Sequence, residues 1–190
     1  DDGNLDGCVT ADDPAGRLVN IITDRFATNR VTGMAVNDPK YVGVDAVPHE
    51  GLVNKFPFNT EKKTYPMWDG VVGKAVDATY EGTDTINGLD VYLFKTSIEA
   101  SDVEVLSGIQ GRYVDEATYY VEPKTGAIQN KVEHQERYLG EDQLFLQFDV
   151  KFTDEQIKET VDSTQSSLTM LNAVTLIFPI IAYVLGAVLI

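Results

Sequence analysis

The sequence predicts a mainly β protein: a curved antiparallel sheet or sandwich ectodomain followed by one long C-terminal helix that becomes a transmembrane segment. Three observations predict it. Leu144, Leu146, Phe148, Val150 and Phe152 alternate with Phe145, Gln147, Asp149 and Lys151, the period-two pattern of a strand with one apolar face. Asn87-Gly88 separates two strand-like runs, 75–86 and 89–98, and is the strongest short hairpin signal. Residues 168–190 form a stretch of 23 residues without one Asp, Glu, Lys, Arg or His.

Taken in order, residues 17–31 read as a strand closed by a turn at Thr32-Gly33. In residues 47–69, Pro48, Pro57 and Pro66 interrupt an aromatic-rich stretch, so long ladder pairing is excluded. That stretch is expected to be a loop wrapping the sheet, either as a cover over the core or as a contact lip. Thr125-Gly126 links 118–122 to 128–139 as a second hairpin. Thr153 with Gln156 forms a capping box, and Asp154 and Glu155 suit the positive end of a helix dipole. Ile157, Val161, Thr164 and Leu168 then recur at helical spacing, so one helix is expected from about residue 154 into the membrane. At 1.5 Å per residue the apolar tail spans roughly 34 Å, enough for a bilayer core of about 30 Å. The chain therefore divides into a β-rich domain (1–152), a juxtamembrane helix (153–167) and a transmembrane helix (168–190). The opening Asp1-Asp2 and the ending inside an apolar run lead to the expectation that residues are missing at both ends.

At 190 residues the chain holds one ordinary domain plus a membrane segment. The net charge of -15 excludes DNA or RNA as a partner, since phosphate backbones demand a basic surface. It also argues for solubility, with cation binding second. The acidic stretch before the tail places the domain on the extracytoplasmic side of the cytoplasmic membrane. One cysteine, Cys8, excludes a disulfide within the chain. The surrounding Leu5-Asp6-Gly7 fits a lipoprotein cleavage site poorly.

Little in the sequence points to catalysis. His49 and His134 stand far apart, and neighbours His49 and Glu50 point to opposite faces of an extended segment. No nucleophile elbow, phosphate loop, zinc spacing or dinucleotide fingerprint is present, so the expectation is a non-enzyme without a cofactor. One metal pattern stands out. Asp2, Asn4 and Asp6 before Gly7, with Asp13 at the closing place, follow the order of a calcium loop. Against calcium, Asp13 replaces the usual bidentate Glu and no helix follows; a solvated acidic loop is the alternative. The candidate contact surface for a ligand or partner is aromatic: Phe56, Phe58, Tyr65 and Trp68 of the loop, with Tyr80, Tyr92 and Tyr120 of the strands. Lys55, Lys62 and Lys63 could meet a sugar or headgroup there. The competing reading of the aromatics is an ordinary core.

The run His49-Glu50-Gly51-Leu52, then Lys55-Phe56-Pro57-Phe58, Thr60-Glu61-Lys62-Lys63-Thr64-Tyr65 and Trp68-Asp69 resembles the PorA-type porin family of actinobacterial envelope proteins, formerly a family of unknown function. Asp24-Arg25, Arg30-Val31-Thr32-Gly33, Ile86-Asn87-Gly88-Leu89 and Val121-Glu122-Pro123-Lys124-Thr125-Gly126 extend the likeness over nearly the whole chain. The resemblance implies one of two roles. The family takes its name from a cell-wall channel. Members of the polar growth factor A type are instead linked to trehalose monomycolate transport beside an MmpL-type exporter, and to lipoarabinomannan maturation. A channel barrel needs a lipid-facing apolar band on every strand, whereas 129–137 is polar on both faces. The expectation is thus a non-catalytic accessory of envelope glycolipid transport or assembly that binds a lipid, a membrane transporter, or both. A porin, or a structural subunit of a larger membrane complex, is the alternative.

Overall fold

The computed structural model describes residues 23–106, 108–140 and 142–188. The chain forms one six-stranded sheet in which every strand pairs antiparallel with its neighbours in sequence, in the order β1 to β6. The strands are β1 (Tyr65–Asp69), β2 (Lys74–Ile86), β3 (Leu89–Leu106), β4 (Ile109–Val121), β5 (Ile128–Leu139) and β6 (Gln143–Lys151). The curved sheet stays open: β1 and β6 lie at its two edges and do not pair with each other. Among the described residues there is a single sheet rather than a sandwich. A short helix, α1 (Pro39–Val42), precedes it, capped by Asp38, whose side chain accepts from the Lys40 N–H.

The hairpins follow turn chemistry. Asn87 and Gly88 both take positive φ (48° and 80°), the combination that lets a two-residue loop match the strand twist. Thr153 caps α2 (Asp154–Asn172) by accepting from the Gln156 N–H, as the capping box predicts. The same helix runs on through a widened turn at Ala173–Ile177 into α3 (Phe178–Val188). Pro179 has no N–H to give to the preceding turn. The chain adapts by reaching one residue further, with the Phe178 N–H bonded to the Ala173 carbonyl.

Two expectations need correction. Tyr65–Asp69 is not loop but the edge strand β1, in register with Lys74–Ala78. Pro66 is tolerated because it points its missing N–H away from β2; on that outer side its carbonyl accepts from the Leu52 N–H. The strand expected over 17–31 is absent from its described part, where only an isolated bridge, Thr28 to Ala35, forms around the turn at Asn29. On β6 the alternation is also interrupted. A bulge at Phe145 turns that ring toward Ile98, Val105 and Tyr113, while Leu144 is left exposed.

Directly paired residues of an antiparallel ladder share a face. The inner face, carrying Phe94 and Tyr119, holds the core. Phe56 descends on it from the 47–64 loop, stacking on Phe94 at 4.5 Å and meeting Tyr65 edge-on at 5.5 Å. Leu52, Met67, Ala78 and Val121 complete that cluster. The loop is clamped at both ends: Leu52 to Pro66 and Trp68, and Phe56, Asn59 and Thr60 to the β4–β5 turn. Gly126 sits at φ +72°, and a Cβ there would stand 2.1 Å from the Phe56 carbonyl oxygen. No other residue permits this approach. Helix α2 crosses the same end of the sheet, burying Val161 and Thr164, the latter bonded to Gln129 at 3.0 Å.

Phe56→Ala should remove about 3–5 kcal/mol of stability, the usual cost of emptying a core aromatic site. Gly126→Ala should destabilise as well, by forcing the clamp apart. Thermal unfolding of the full chain in neutral detergent checks both, and an unchanged melting temperature for either would contradict the clamp.

Candidate functional site

Loop, sheet end and helix meet imperfectly, and between them lies a groove of about 810 Å³. One wall is the loop, through Asn54, Lys55 and Phe58. The floor is Thr125, Ala127, Ile128 and Lys131 of the β4–β5 turn and β5. The far wall is Phe152 with Ser166, Ser167, Met170, Leu171 and Val174 of the helix. Its apolar side therefore begins where the uncharged tail begins. The helix over Asp154–Ala187 is long and apolar enough to cross a membrane, and its apolar window has no residue buried against the rest of the protein.

Two lysine side chains line this groove. Lys55 lies over the Phe58 ring at 4.3 Å. Lys131 pairs with Glu133 at 2.6 Å and lies over Tyr119 at 5.3 Å. Behind Lys131 the inner face becomes polar. β4 presents Tyr113, Asp115, Ala117 and Tyr119; β5 presents Lys131, Glu133, Gln135 and Arg137 opposite them. The Gln135 amide donates to Tyr113 (3.0 Å), Glu133 (3.3 Å) and Asp115 (3.4 Å), and accepts from Arg137 at 2.9 Å. The Tyr113 hydroxyl in turn donates to Asp69 at 3.3 Å.

Burial dominates the titration of this network. It pushes the Asp115 carboxyl up to about 7, helped by the hydrogen bond and negative charge of Glu133. Glu133 feels the same burial, but hydrogen bonds from Lys131 and Asp115 outweigh it and hold this carboxyl below the ordinary range. The two carboxyls behave as one proton-sharing pair.

Of the aromatic residues picked from sequence, Phe56, Tyr65, Tyr80 and Tyr92 meet in the core cluster around Phe94, while Phe58, Trp68 and Tyr120 lie elsewhere. Phe58 lines the groove. Phe56 and Tyr65 are core, 0% and 6% exposed, with Phe94 packed against both rings. Trp68 packs against His49 at 4.7 Å with the rings tilted by 50°. Tyr80 and Tyr92 hold Lys62 at 5.7 and 5.2 Å, which occupies that cation. Tyr120 is paired with Leu93 and Asn130 on the outer face. Lys63 pairs with Glu61. His49 is buried against Phe26 and Trp68, with its Nε2 2.7 Å from Asp24, not Glu50. His134 is a surface group bonded to Asp149 and Glu136, which raise its pKa. Asp2, Asn4, Asp6, Asp13 and Cys8 lie outside the described residues. Among the described residues, no three His, Cys, Asp or Glu side chains converge to hold a metal ion.

Sequence reasoning missed Asp115, Glu133 and Gln135 as a group, because alternate residues on two strands meet only once the register is set. It also missed the groove's helical wall. The signal available was the polar run at 129–137 inside an otherwise β-favouring chain.

The profile of the family described as Porin PorA matches residues 5–190. The chain belongs to the Porin PorA family. A protein of Corynebacterium amycolatum named Porin PorA is 30% identical over 93 residues, which are 43% of this chain and 24% of that protein. The chain thus matches about a quarter of that relative's length. Family membership and the apolar helix together make this a membrane protein.

Asp115 gives the domain a pH dependence of definite sign. Its folded pKa lies above its unfolded one, so the folded state holds the proton more tightly. The stability it contributes is full below about pH 4 and is lost as the pH rises to about 7. Asp115→Asn should therefore melt higher than the native chain at pH 8, with the gap shrinking toward pH 4. A gap independent of pH would refute the raised pKa.

Proposed function

We propose that this chain is a non-catalytic, membrane-anchored accessory of the cell envelope, whose sheet domain receives a lipid or glycolipid at the bilayer surface. The groove between loop, sheet end and helix carries the reading. Its wall of Met170, Leu171 and Val174 is continuous with the span, so an acyl chain can pass from bilayer to groove without crossing water. The polar rim of Asn54, Thr125, Ser166 and Ser167, with Lys55 and Lys131, offers hydrogen bonds to a headgroup or sugar. The acidic body suits the extracytoplasmic side of the cytoplasmic membrane, and a trehalose-based or lipoarabinomannan-type glycolipid is the proposed cargo class. An MmpL-type transporter is the proposed partner.

The non-enzymatic part of the proposal is supported by where the histidines go. His49 is wedged between two rings and engaged by Asp24, and His134 is tied to surface carboxylates. The hydrogen bonds these rings make go to carboxylates, not to a nucleophile.

The relative's name favours a second reading, a channel. The sheet argues against forming one by itself. It is open, and β5 sets Lys131, Glu133 and Arg137 on one face against His134 and Glu136 on the other, which leaves no lipid-facing band. A channel would have to come from assembled helices.

Native mass spectrometry from gentle detergent should find one glycolipid or lipid retained per chain. Leu171→Glu should reduce that fraction several-fold, because it places a charge on the groove's apolar wall. Purified protein in planar bilayers should give no discrete conductance steps. Steps without retained lipid would replace this function with the channel.

A further inference from the structure

Lys131 belongs to two structures at once. Its side chain lines the groove, and its ammonium is the cation that neutralises Glu133 at 2.6 Å. We propose that the groove takes the negatively charged headgroup of a lipid from the anchoring membrane on Lys131, and that doing so loads a proton onto the Asp115–Glu133 carboxyl pair. This rests on the groove being a lipid site and adds its charge preference and its regulation.

The geometry sets the coupling. A phosphate at Lys131 competes directly with Glu133 for the same ammonium. Glu133 then keeps only Gln135 and the neighbouring Asp115, both on the buried inner face. Two carboxylates and a phosphate cannot share that space as three anions, because unscreened like charges at this range repel strongly. Proton uptake is the available relief, and no side chain need move beyond the Lys131 stem.

Among the described residues, groups from five strands face the pair. From β4 come Tyr113 and Tyr119, and from β3 the apolar Ile98 opposite Asp115. From β5 come Lys131, Gln135 and Arg137, and Arg137 is spent on Gln135 and the Val105 carbonyl. From β6 comes Phe148, and from the end of β1 Asp69, held on the Tyr113 hydroxyl. Lys131 is thus the cation whose departure leaves the pair uncompensated. The free pair already titrates near neutrality, with Asp115 at about 7, so uptake falls in an accessible range. Lys55, which makes a ring contact rather than an ion pair in the groove, provides a second cation for the headgroup.

The test uses the full chain in neutral maltoside micelles with two probes of one acyl chain, lysophosphatidylglycerol and lysophosphatidylcholine. Titration calorimetry in two buffers of different ionisation heat counts protons. The anionic lipid should bind with an affinity that is flat below about pH 6.5 and falls up to about tenfold per pH unit above 7, the slope of a one-proton linkage. It should take up close to one proton at pH 8. The zwitterionic lipid should show neither effect. Asp115→Asn should bind the anionic lipid without a pH slope; if that variant does not fold, the proton count on the native chain decides alone. Binding of both lipids with no proton uptake would overturn the coupling and leave the groove a lipid site. Failure of both lipids to bind would remove the groove reading and the coupling with it.

Discussion

A single open sheet has two faces and nothing of its own to cover them, and this constraint organises the molecule. The inner face is closed at β1–β3 by one ring, Phe56, lowered onto Phe94 and Tyr65 from a loop that has no regular structure. Such a loop holds position only if its backbone groups are satisfied. Here they bond to the edge of β1 and to the β4–β5 turn, the second clamp needing a glycine at 126 to let two backbones touch. The proline-rich composition that forbids a long strand also lowers the cost of ordering the loop, since proline has little backbone freedom to lose.

The cover is partial, and the uncovered parts are the informative ones. Toward β5 and β6 the inner face passes from aromatic to charged, and then to the half-exposed or exposed Leu146, Phe148 and Val150. A buried carboxyl pair is a poor way to stabilise a sheet; apolar residues of similar volume commonly do at least as well. Its place directly behind the groove, joined to it by one lysine, makes ligand charge rather than stability the better account of its presence.

How much of this was legible follows from how local each signal is. The Asn87-Gly88 hairpin, the Thr153 cap and the apolar tail are written in adjacent residues, and the structure reproduces them. The β1 strand escaped because Pro66 is forbidden in a ladder except on an outer edge, and edge position is a property of the whole sheet. The bulge at Phe145 shifted one residue's face in a pattern that looked regular. The meeting of Asp115 with Glu133, and of His49 with Asp24, depends on register and on loop placement across 18 and 25 residues respectively. Among the aromatics, hydrophobicity could not separate Phe56, which the core claims, from Phe58, two residues on, which the groove receives.

The helix ties these parts to the bilayer. Up to Thr164 it behaves as a globular helix, with one side on the sheet and Gln129 bonded across. From Leu168 on, none of its described residues is buried by the rest of the protein. No break separates the two regimes, since even the widened turn at Ala173–Ile177 keeps the backbone hydrogen-bonded. Domain and span therefore cannot reorient independently as they could across a flexible linker. The groove's helical wall, Ser166 to Val174, extends about 12 Å along the axis, straddling the point where polar residues give way to apolar ones. Its serines are thereby set toward the headgroups and its apolar residues toward the acyl chains. An amphiphile leaving the bilayer would meet the groove in the same order of polarity that it already has in the membrane.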